Sequence, residues 1–268
     1  MNVGEVLRRA SGYLEERGVE SPRLDAELLL GKALGRSRLD LYLEYDRELD
    51  DAELAACRVF VERRGQREPL AYVLGEWGFR HLTLAVDDRV LVPRPETEVV
   101  AGRALELLES LAEPRVLDLG TGSGAIALAI ADEHPGARVT GVDRSPEALT
   151  VARQNAARLG LPVELREGGF EVAEEGWDLV VSNPPYVAAD ELARVQPEVR
   201  REPAEALLGD GLHAEIARRA RTTWLVLEVG DGQAERVAAE LATCGYEAIR
   251  ITPDLTGTDR VVEGRSTR

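Results

Sequence analysis

The chain has 268 residues, 44% of them hydrophobic and 31% charged, and a formal net charge of −16. This is the composition of a soluble globular protein, long enough for one large domain or for a catalytic domain with a smaller companion. Residues 1–75 carry 12 basic and 15 acidic side chains, so most of the excess negative charge lies beyond them, the opposite of what gripping a phosphate backbone requires.

The N-terminal stretch Met1–Arg9 lacks the apolar centre of a signal peptide, and no later apolar run is long enough to span a bilayer. A cytoplasmic protein is expected. Cys57 and Cys244 are far apart and have no Cys or His at ligand spacing, which predicts reduced, partly buried thiols and argues against a disulfide framework or a zinc site. His81, His134 and His213 are expected at surface or boundary positions and not as metal ligands.

Residues 2 to about 66 read as helical throughout, punctuated by Gly18, Gly31, Gly35 and Gly65. Ser21 with Pro22 predicts a capped helix start ahead of a Leu24, Leu28, Leu29 face, and Asp50 predicts a second cap. From Gly75 the period changes to that of strands: Trp77–Val86 alternates, Asp87-Asp88 supplies a turn and Val90-Leu91-Val92 returns. Pro93-Arg94-Pro95 then stops the strand, and Glu96-Thr97-Glu98 opens a helix. The boundaries expected are therefore a helical domain over 1–74, a β-hairpin linker over 75–92 and a larger domain over 93–268.

In that larger domain strands are predicted at 115–119, 137–142, 163–166, 177–182 and 223–229, and helices at 123–134, 146–159, 212–221 and 231–243. The alternation predicts an α/β fold with a doubly wound, mostly parallel sheet. Two final segments, 246–251 and 258–264, joined through Asp254-Leu255-Thr256-Gly257, add an antiparallel hairpin at one edge.

The strand ending in Asp118-Leu119 runs into Gly120-Thr121-Gly122-Ser123-Gly124, where glycines let the backbone turn sharply and approach a ligand at a helix N-terminus. Asp143 closes the next strand, placed to accept both hydroxyls of a ribose. This pattern also satisfies a dinucleotide fingerprint, which keeps a nicotinamide dehydrogenase open. Asp118 two residues before the first glycine matches S-adenosylmethionine sites instead. Asn183-Pro184-Pro185-Tyr186 follows the fourth strand. The Asn carbonyl oxygen and the carbonyl presented by the rigid Pro-Pro can hold both hydrogens of an NH2 group while the Tyr ring covers its face. That suits methyl transfer to a weakly nucleophilic nitrogen.

The chain resembles the bacterial peptide chain release factor N5-glutamine methyltransferases. The resemblance rests on Pro69–Gly75, Val90–Glu98, Asp118–Gly124, Ser182–Val187, Glu198-Val199, Glu202-Pro203, Leu227–Gly230 with Gln233, and Asp259–Val262. It implies methylation of the side-chain amide nitrogen of the glutamine in the Gly-Gly-Gln motif of release factors, with S-adenosyl-L-methionine as donor. It also implies that the helical N-terminal domain binds the release factor, with neither nucleic acid nor membrane as a direct partner. Carried over by position, Asn183, Pro184, Pro185 and Tyr186 hold the glutamine, and Asn183, Pro184 and Tyr186 are the catalytic residues. Asp118, Gly120, Thr121, Gly122, Ser123, Gly124, Asp143, Gly169 and Asn183 hold the cofactor.

Two segments depart from the family pattern. Gly168-Gly169-Phe170 stands where relatives carry an acidic residue, then Leu or Trp, then Phe, which predicts that adenine is held through backbone and water. Residues 206–212 form a shorter segment than usual. Three alternative functions remain. The nearest is a ribosomal-protein glutamine methyltransferase sharing the core motifs. A nucleic-acid adenine amino-methyltransferase is disfavoured by the acidic charge, and a non-catalytic cofactor-binding module by the intact Asp118, Asp143 and Asn183.

Overall fold

Asn2, Ser37 and Asp50 each open a helix with a reciprocal cap, in which the side chain accepts from the backbone N–H three residues on and the residue there reaches back. The computed structural model describes residues 1–188, 190–192, 194–209 and 211–267. The chain divides into two compact units, Met1–Glu76 with Gln196–Arg201, and Trp77–Val195 with Glu202–Arg268.

The first unit consists of α1 (Val3–Glu15), α2 (Pro22–Leu34), α3 (Arg38–Leu43), α4 (Asp51–Gly65) and α5 (Leu70–Leu74), joined by the short 3₁₀ turn Val199–Arg201. Ser21 occupies the position before α2 with Pro22 in its first turn, but its side chain makes no capping bond. The buried face of α2 is Ala26, Leu29 and Leu30, while Leu24 is 41% exposed. The expected stripe is thus rotated by roughly a third of a turn, because α1 and α4 pack on that side. Arg64 crosses the interior, giving Nε to Asp25 Oδ2 at 2.7 Å and Nη1 to Glu198 Oε1 at 2.6 Å. Arg67 adds 2.7 and 2.6 Å contacts to the two oxygens of the Glu198 carboxylate. Burial acts to raise the Glu198 carboxyl, but the Arg67 and Arg64 guanidiniums hold it below the usual carboxylate range.

In the second unit β1 (Glu76–Phe79), whose first residue is shared with the first unit, and β2 (Leu82–Ala85) form the hairpin. It is tighter than the sequence predicts. The chain reverses at Arg80-His81, with Arg80 at a φ of 50°, and Val90–Val92 is not a strand. Arg80 can hold this turn because its backbone N–H donates to Glu98 Oε1 at 3.0 Å and its guanidinium grips Glu133 at 2.5 and 2.7 Å. Val90 and Val92 are buried instead as apolar plugs, and the Val92 N–H donates to Glu202 Oε2 at 3.0 Å.

There follow α6 (Pro95–Leu108), β3 (Arg115–Leu119), α7 (Ala125–Glu133), β4 (Arg138–Asp143), α8 (Pro146–Leu159), β5 (Val163–Glu167) and a 3₁₀ segment, Phe170–Glu175. Then come β6 (Trp177–Ser182), α9 (Ala204–Leu207), α10 (Leu212–Arg219), β7 (Thr222–Glu228), α11 (Ala234–Thr243), β8 (Tyr246–Pro253) and β9 (Asp259–Ser266). The seven-stranded sheet has the order β5-β4-β3-β6-β7-β9-β8. Its first five strands pair in parallel and β9 and β8 antiparallel, the α/β arrangement expected. Leu117, Leu119, Val180, Leu225 and Leu227 fill the core, as continuous apolar strands of a doubly covered sheet must. A buried pair, Arg103 with Glu263 at 2.6 and 2.8 Å, fixes α6 against β9. Among the described residues no helix is long and apolar enough to cross a membrane.

Candidate active site

Parallel pairing places Leu119 opposite Val142 on one side and Ser182 on the other, with Ser182 opposite Leu227. The next residues along β3, β4, β6 and β7 are Gly120, Asp143, Asn183 and Glu228. Register therefore brings the starts of separate sequence motifs into one row at the carboxyl edge of the sheet. The chain order reverses there, where β3 lies between β4 and β6, the usual ligand position of an open α/β sheet.

Asp118 is 1% exposed; its Oδ2 accepts from Thr121 Oγ1 at 2.6 Å and from the Ala127 N–H at 3.0 Å. Its Oδ1 is buried without a partner, and burial pushes the carboxyl up to about 7. Gly120, Gly122 and Gly124 have φ values of 79°, 55° and 85°, and a Cβ on either of the first two would meet nothing within 4 Å. The loop thus offers open backbone beside an unsatisfied carboxyl oxygen. Thr121 and Ser123 are buried and serve the loop itself, the second through its carbonyl, which accepts from Asn155 Nδ2 at 2.9 Å. Asp143 braces the same loop, taking the Gly122 N–H on Oδ2 at 2.8 Å and the Ser145 N–H on Oδ1 at 2.9 Å. Each oxygen keeps a further lone pair for a ligand hydroxyl.

Past β5, the Gly168 N–H donates to the Asp143 carbonyl at 3.0 Å, and the Gly169 N–H to Glu171 Oε1 at 2.7 Å. Across the row, Asn183 Nδ2 donates to Thr97 Oγ1 at 3.2 Å, which turns its carbonyl oxygen away from that contact. Tyr186 is held at both ends: its carbonyl accepts from Gln233 Nε2 at 3.1 Å and its hydroxyl donates to Glu228 Oε1 at 3.3 Å. The Pro-Pro turn is pinned from below, since a side chain on Gly209 would strike the Pro185 carbonyl oxygen.

The family of PrmC N-terminal domains matches residues 5–75, and that of methyltransferase small domains matches residues 101–238. The release factor glutamine methyltransferase of Geobacter sulfurreducens is 45% identical over 275 residues, covering 98% of this chain and 96% of that protein. That of Deinococcus radiodurans is 42% identical and covers 99% of both chains. The chain belongs to the release factor glutamine methyltransferase family. A solved structure, the human Mettl16 catalytic domain with the MAT2A 3′UTR hairpin 6, superposes with a TM-score of 0.56 at 16% identity over 82% of this chain and 83% of that one, a likeness of fold alone.

Within this member of the release factor glutamine methyltransferase family, three buried polar groups escape the sequence reading. Asn155, fully buried, accepts from the Ala85 N–H at 2.7 Å and donates to the Ala85 carbonyl at 3.0 Å, tying the hairpin to the glycine loop. Its signal was a polar residue in register with the buried face Ala148, Val151, Ala152 of α8. Glu228 is 1% exposed, with Oε2 unpartnered. Burial pushes its carboxyl up to about 7, against the Thr97 and Tyr186 hydroxyls and the Arg260 guanidinium, which favour its ionised form. His213, expected near the surface, is 2% exposed, and its Nε2 meets the Glu228 carbonyl at 2.8 Å. Burial lowers its pKa and so favours the neutral ring. The polar partner reverses the expectation, because a neutral imidazole with a satisfied nitrogen tolerates burial. Within the short 206–212 segment, Asp210 lies outside the described residues.

Proposed function

We propose that this chain transfers a methyl group from S-adenosylmethionine to the side-chain amide nitrogen of the glutamine in the Gly-Gly-Gln loop of release factors. The observation that carries this reading is the Asn183 to Thr97 hydrogen bond. It commits the Asn183 NH2 to the protein and leaves its oxygen to accept from an incoming NH2. A release factor glutamine is the amide that the family's names point to.

Bound S-adenosylmethionine supplies an electrophilic methyl group on a sulfonium. Asp118, the Gly120–Gly124 loop, Asp143 and Gly169 would hold it; the orphaned Asp118 oxygen and the open glycine backbone suit such a ligand. Asn183 and the Pro184 carbonyl accept the two amide hydrogens, and Tyr186 packs on the amide plane. Because an amide lone pair is delocalised into its carbonyl, these contacts accelerate the reaction by aligning that lone pair and by strengthening as the nitrogen becomes cationic. Protein groups need not take the proton, since an N-protonated amide releases it to water.

Residues 1–74 are proposed to hold the body of the release factor, and the cytoplasm is the compartment this function implies. Incubation of release factors and ribosomal proteins with the protein and S-adenosylmethionine, followed by peptide mass spectrometry, tests the reading. One added methyl on the Gly-Gly-Gln glutamine is the expected result. A methyl only on a ribosomal-protein glutamine, or only on nucleic acid, overturns it.

A further inference from the structure

The amino edge of the large sheet, opposite the row that carries Gly120, Asp143 and Asn183, opens into a cavity of about 1030 Å³ that the chemistry above does not use. Five arginines line it: Arg115 at the start of β3, Arg218 and Arg219 in the last turn of α10, Arg221 just before β7, and Arg265 near the end of β9. The sheet runs β3-β6-β7-β9 with β9 antiparallel to β7, so three strand starts and one strand end meet at this edge. In a chain of net charge −16 this gathering runs against the overall bias, and the guanidiniums repel one another unless an anion lies among them.

The backbone at this edge is already paired. The Arg115 N–H donates to Asp178 Oδ2 at 2.8 Å, the Trp177 N–H to the Arg221 carbonyl at 2.8 Å, and the Arg221 N–H to the Ala173 carbonyl at 2.9 Å. Two carboxylates share the wall and both have partners: Glu174 takes Arg219 Nη1 at 2.8 Å, and Asp178 takes the Arg115 N–H. Among the described residues, the guanidiniums of Arg115, Arg221 and Arg265 pair with no carboxylate. That of Arg115 lies over the Trp177 ring, 4.8 Å from its centroid, which holds it in place without neutralising it. All three arginines are exposed. What the cavity offers a ligand is therefore guanidinium N–H groups, whose planar forks match the paired oxygens of a phosphate.

We propose that this cavity is a second ligand site and that it takes a linear triphosphate. Strand order sets the length of the ligand. β3 and β9 lie three strand spacings apart, roughly 14 Å, with β7 between them, so the three unpaired arginines approach from separate points. A row of linked oxyanions meets all of them, whereas one phosphate does not. The cavity matches the upper end of the range usual for small-molecule sites, about 300–1,000 Å³. Linked phosphates also place more charge in a given length than the carboxylates of an acidic peptide. The triphosphate group occurs free and on nucleotides, and either source presents the same oxygens. Because the cavity lies at the edge of the sheet away from the glycine loop, it fills independently of S-adenosylmethionine and of the methyl acceptor.

The test is calorimetric titration of the full chain, at low salt and with saturating S-adenosylhomocysteine, with inorganic tripolyphosphate, uridine triphosphate, citrate and a hexaglutamate peptide. The proteins are the wild type, Arg221→Ala, Arg265→Ala and Arg8→Ala. Arg8 is an exposed residue of α1, so its variant loses the same net charge away from the cavity. Tripolyphosphate should bind the wild type with one molecule per chain. Arg221→Ala and Arg265→Ala should each weaken it on the order of 10- to 100-fold, the equivalent of a charge-assisted hydrogen-bonding partner, while Arg8→Ala stays at the wild-type value. Citrate and hexaglutamate should bind at least about tenfold more weakly than tripolyphosphate, whose phosphates each offer a fork of oxygens. Uridine triphosphate binding more tightly than tripolyphosphate assigns the site to nucleotides, and the reverse order assigns it to free polyphosphate. Absence of tripolyphosphate binding overturns the proposal. So does an affinity unchanged in Arg221→Ala and Arg265→Ala, an equal loss in Arg8→Ala, or citrate or hexaglutamate binding as tightly as tripolyphosphate. Because these substitutions fall on exposed side chains, the fold is expected to tolerate them, and no outcome depends on methyl transfer.

Discussion

The Tyr186 hydroxyl donates to Glu228 Oε1 at 3.3 Å, tying the last residue of the Asn-Pro-Pro-Tyr loop to a carboxylate 42 positions further along the chain. Tyr186→Phe keeps the ring and removes this bond. Because the contact is long, its loss should slow methyl transfer by up to about tenfold, and Tyr186→Ala, which also removes the covering ring, should be slower still. Single-turnover rates with saturating S-adenosylmethionine check this. Equal rates for the two variants would mean that the ring does not act on the amide.

Asn183→Ala should reduce the methyl-transfer rate on the order of 100-fold or more, the usual cost of losing a preorganised group whose interaction strengthens in the transition state. Cofactor affinity should change far less. The same single-turnover assay, paired with calorimetric titration of S-adenosylhomocysteine, separates the two quantities, and parallel losses in both would show that Asn183 only shapes the cofactor pocket.

Asp143→Ala is expected to weaken S-adenosylhomocysteine binding by roughly 1–3 kcal/mol, the range for hydrogen bonds to a charged acceptor. The Gly122 and Ser145 N–H groups lose their acceptor at the same time, so the glycine loop should also show faster amide exchange. Calorimetry reads the first effect and hydrogen–deuterium exchange the second. Unchanged affinity would remove Asp143 from the ribose site.

Burial of Asp118 makes the stability of the ligand-free protein depend on pH. Its folded-state pKa is raised from 3.8 to about 7, so the fold favours the neutral carboxyl. The stabilisation is complete below the unfolded value and is lost as pH rises through about 7, a loss on the order of 4 kcal/mol. Asp118→Asn cannot ionise, so its stability relative to wild type should improve between pH 5 and pH 8. Urea unfolding across that range measures the difference, and a pH-independent offset would contradict it.

Glu198 closes the buried charge cluster of the first unit with Arg64 and Arg67. Glu198→Ala strands the Arg64 guanidinium, which is 8% exposed and keeps Asp25 as its remaining carboxylate. The cost expected for breaking such a pair is about 3–5 kcal/mol, visible as a lower denaturant midpoint. A surface-like change below about 1 kcal/mol would show that the cluster is solvated.

The sequence by itself determined the parallel sheet, the glycine loop after Asp118, the carboxylate of Asp143 and the Asn183–Tyr186 turn. Each of these is a contiguous motif attached to the end of a strand, so local backbone geometry and hydrophobic period carry the information. Tertiary structure alone decided what stands behind those motifs. The reversal at Arg80-His81 depends on Glu98 and Glu133, and the burial of His213 on the Glu228 carbonyl. Thr97 meets Asn183 across 86 positions of sequence, and Gln196–Arg201 joins the helical unit although the chain on either side belongs to the other. No local pattern encodes these pairings, because a side chain's partner across a sheet is set by strand order. Here that order inserts β6 between β3 and β7, and its register sets Asn183 beside Glu228 at the ends of β6 and β7.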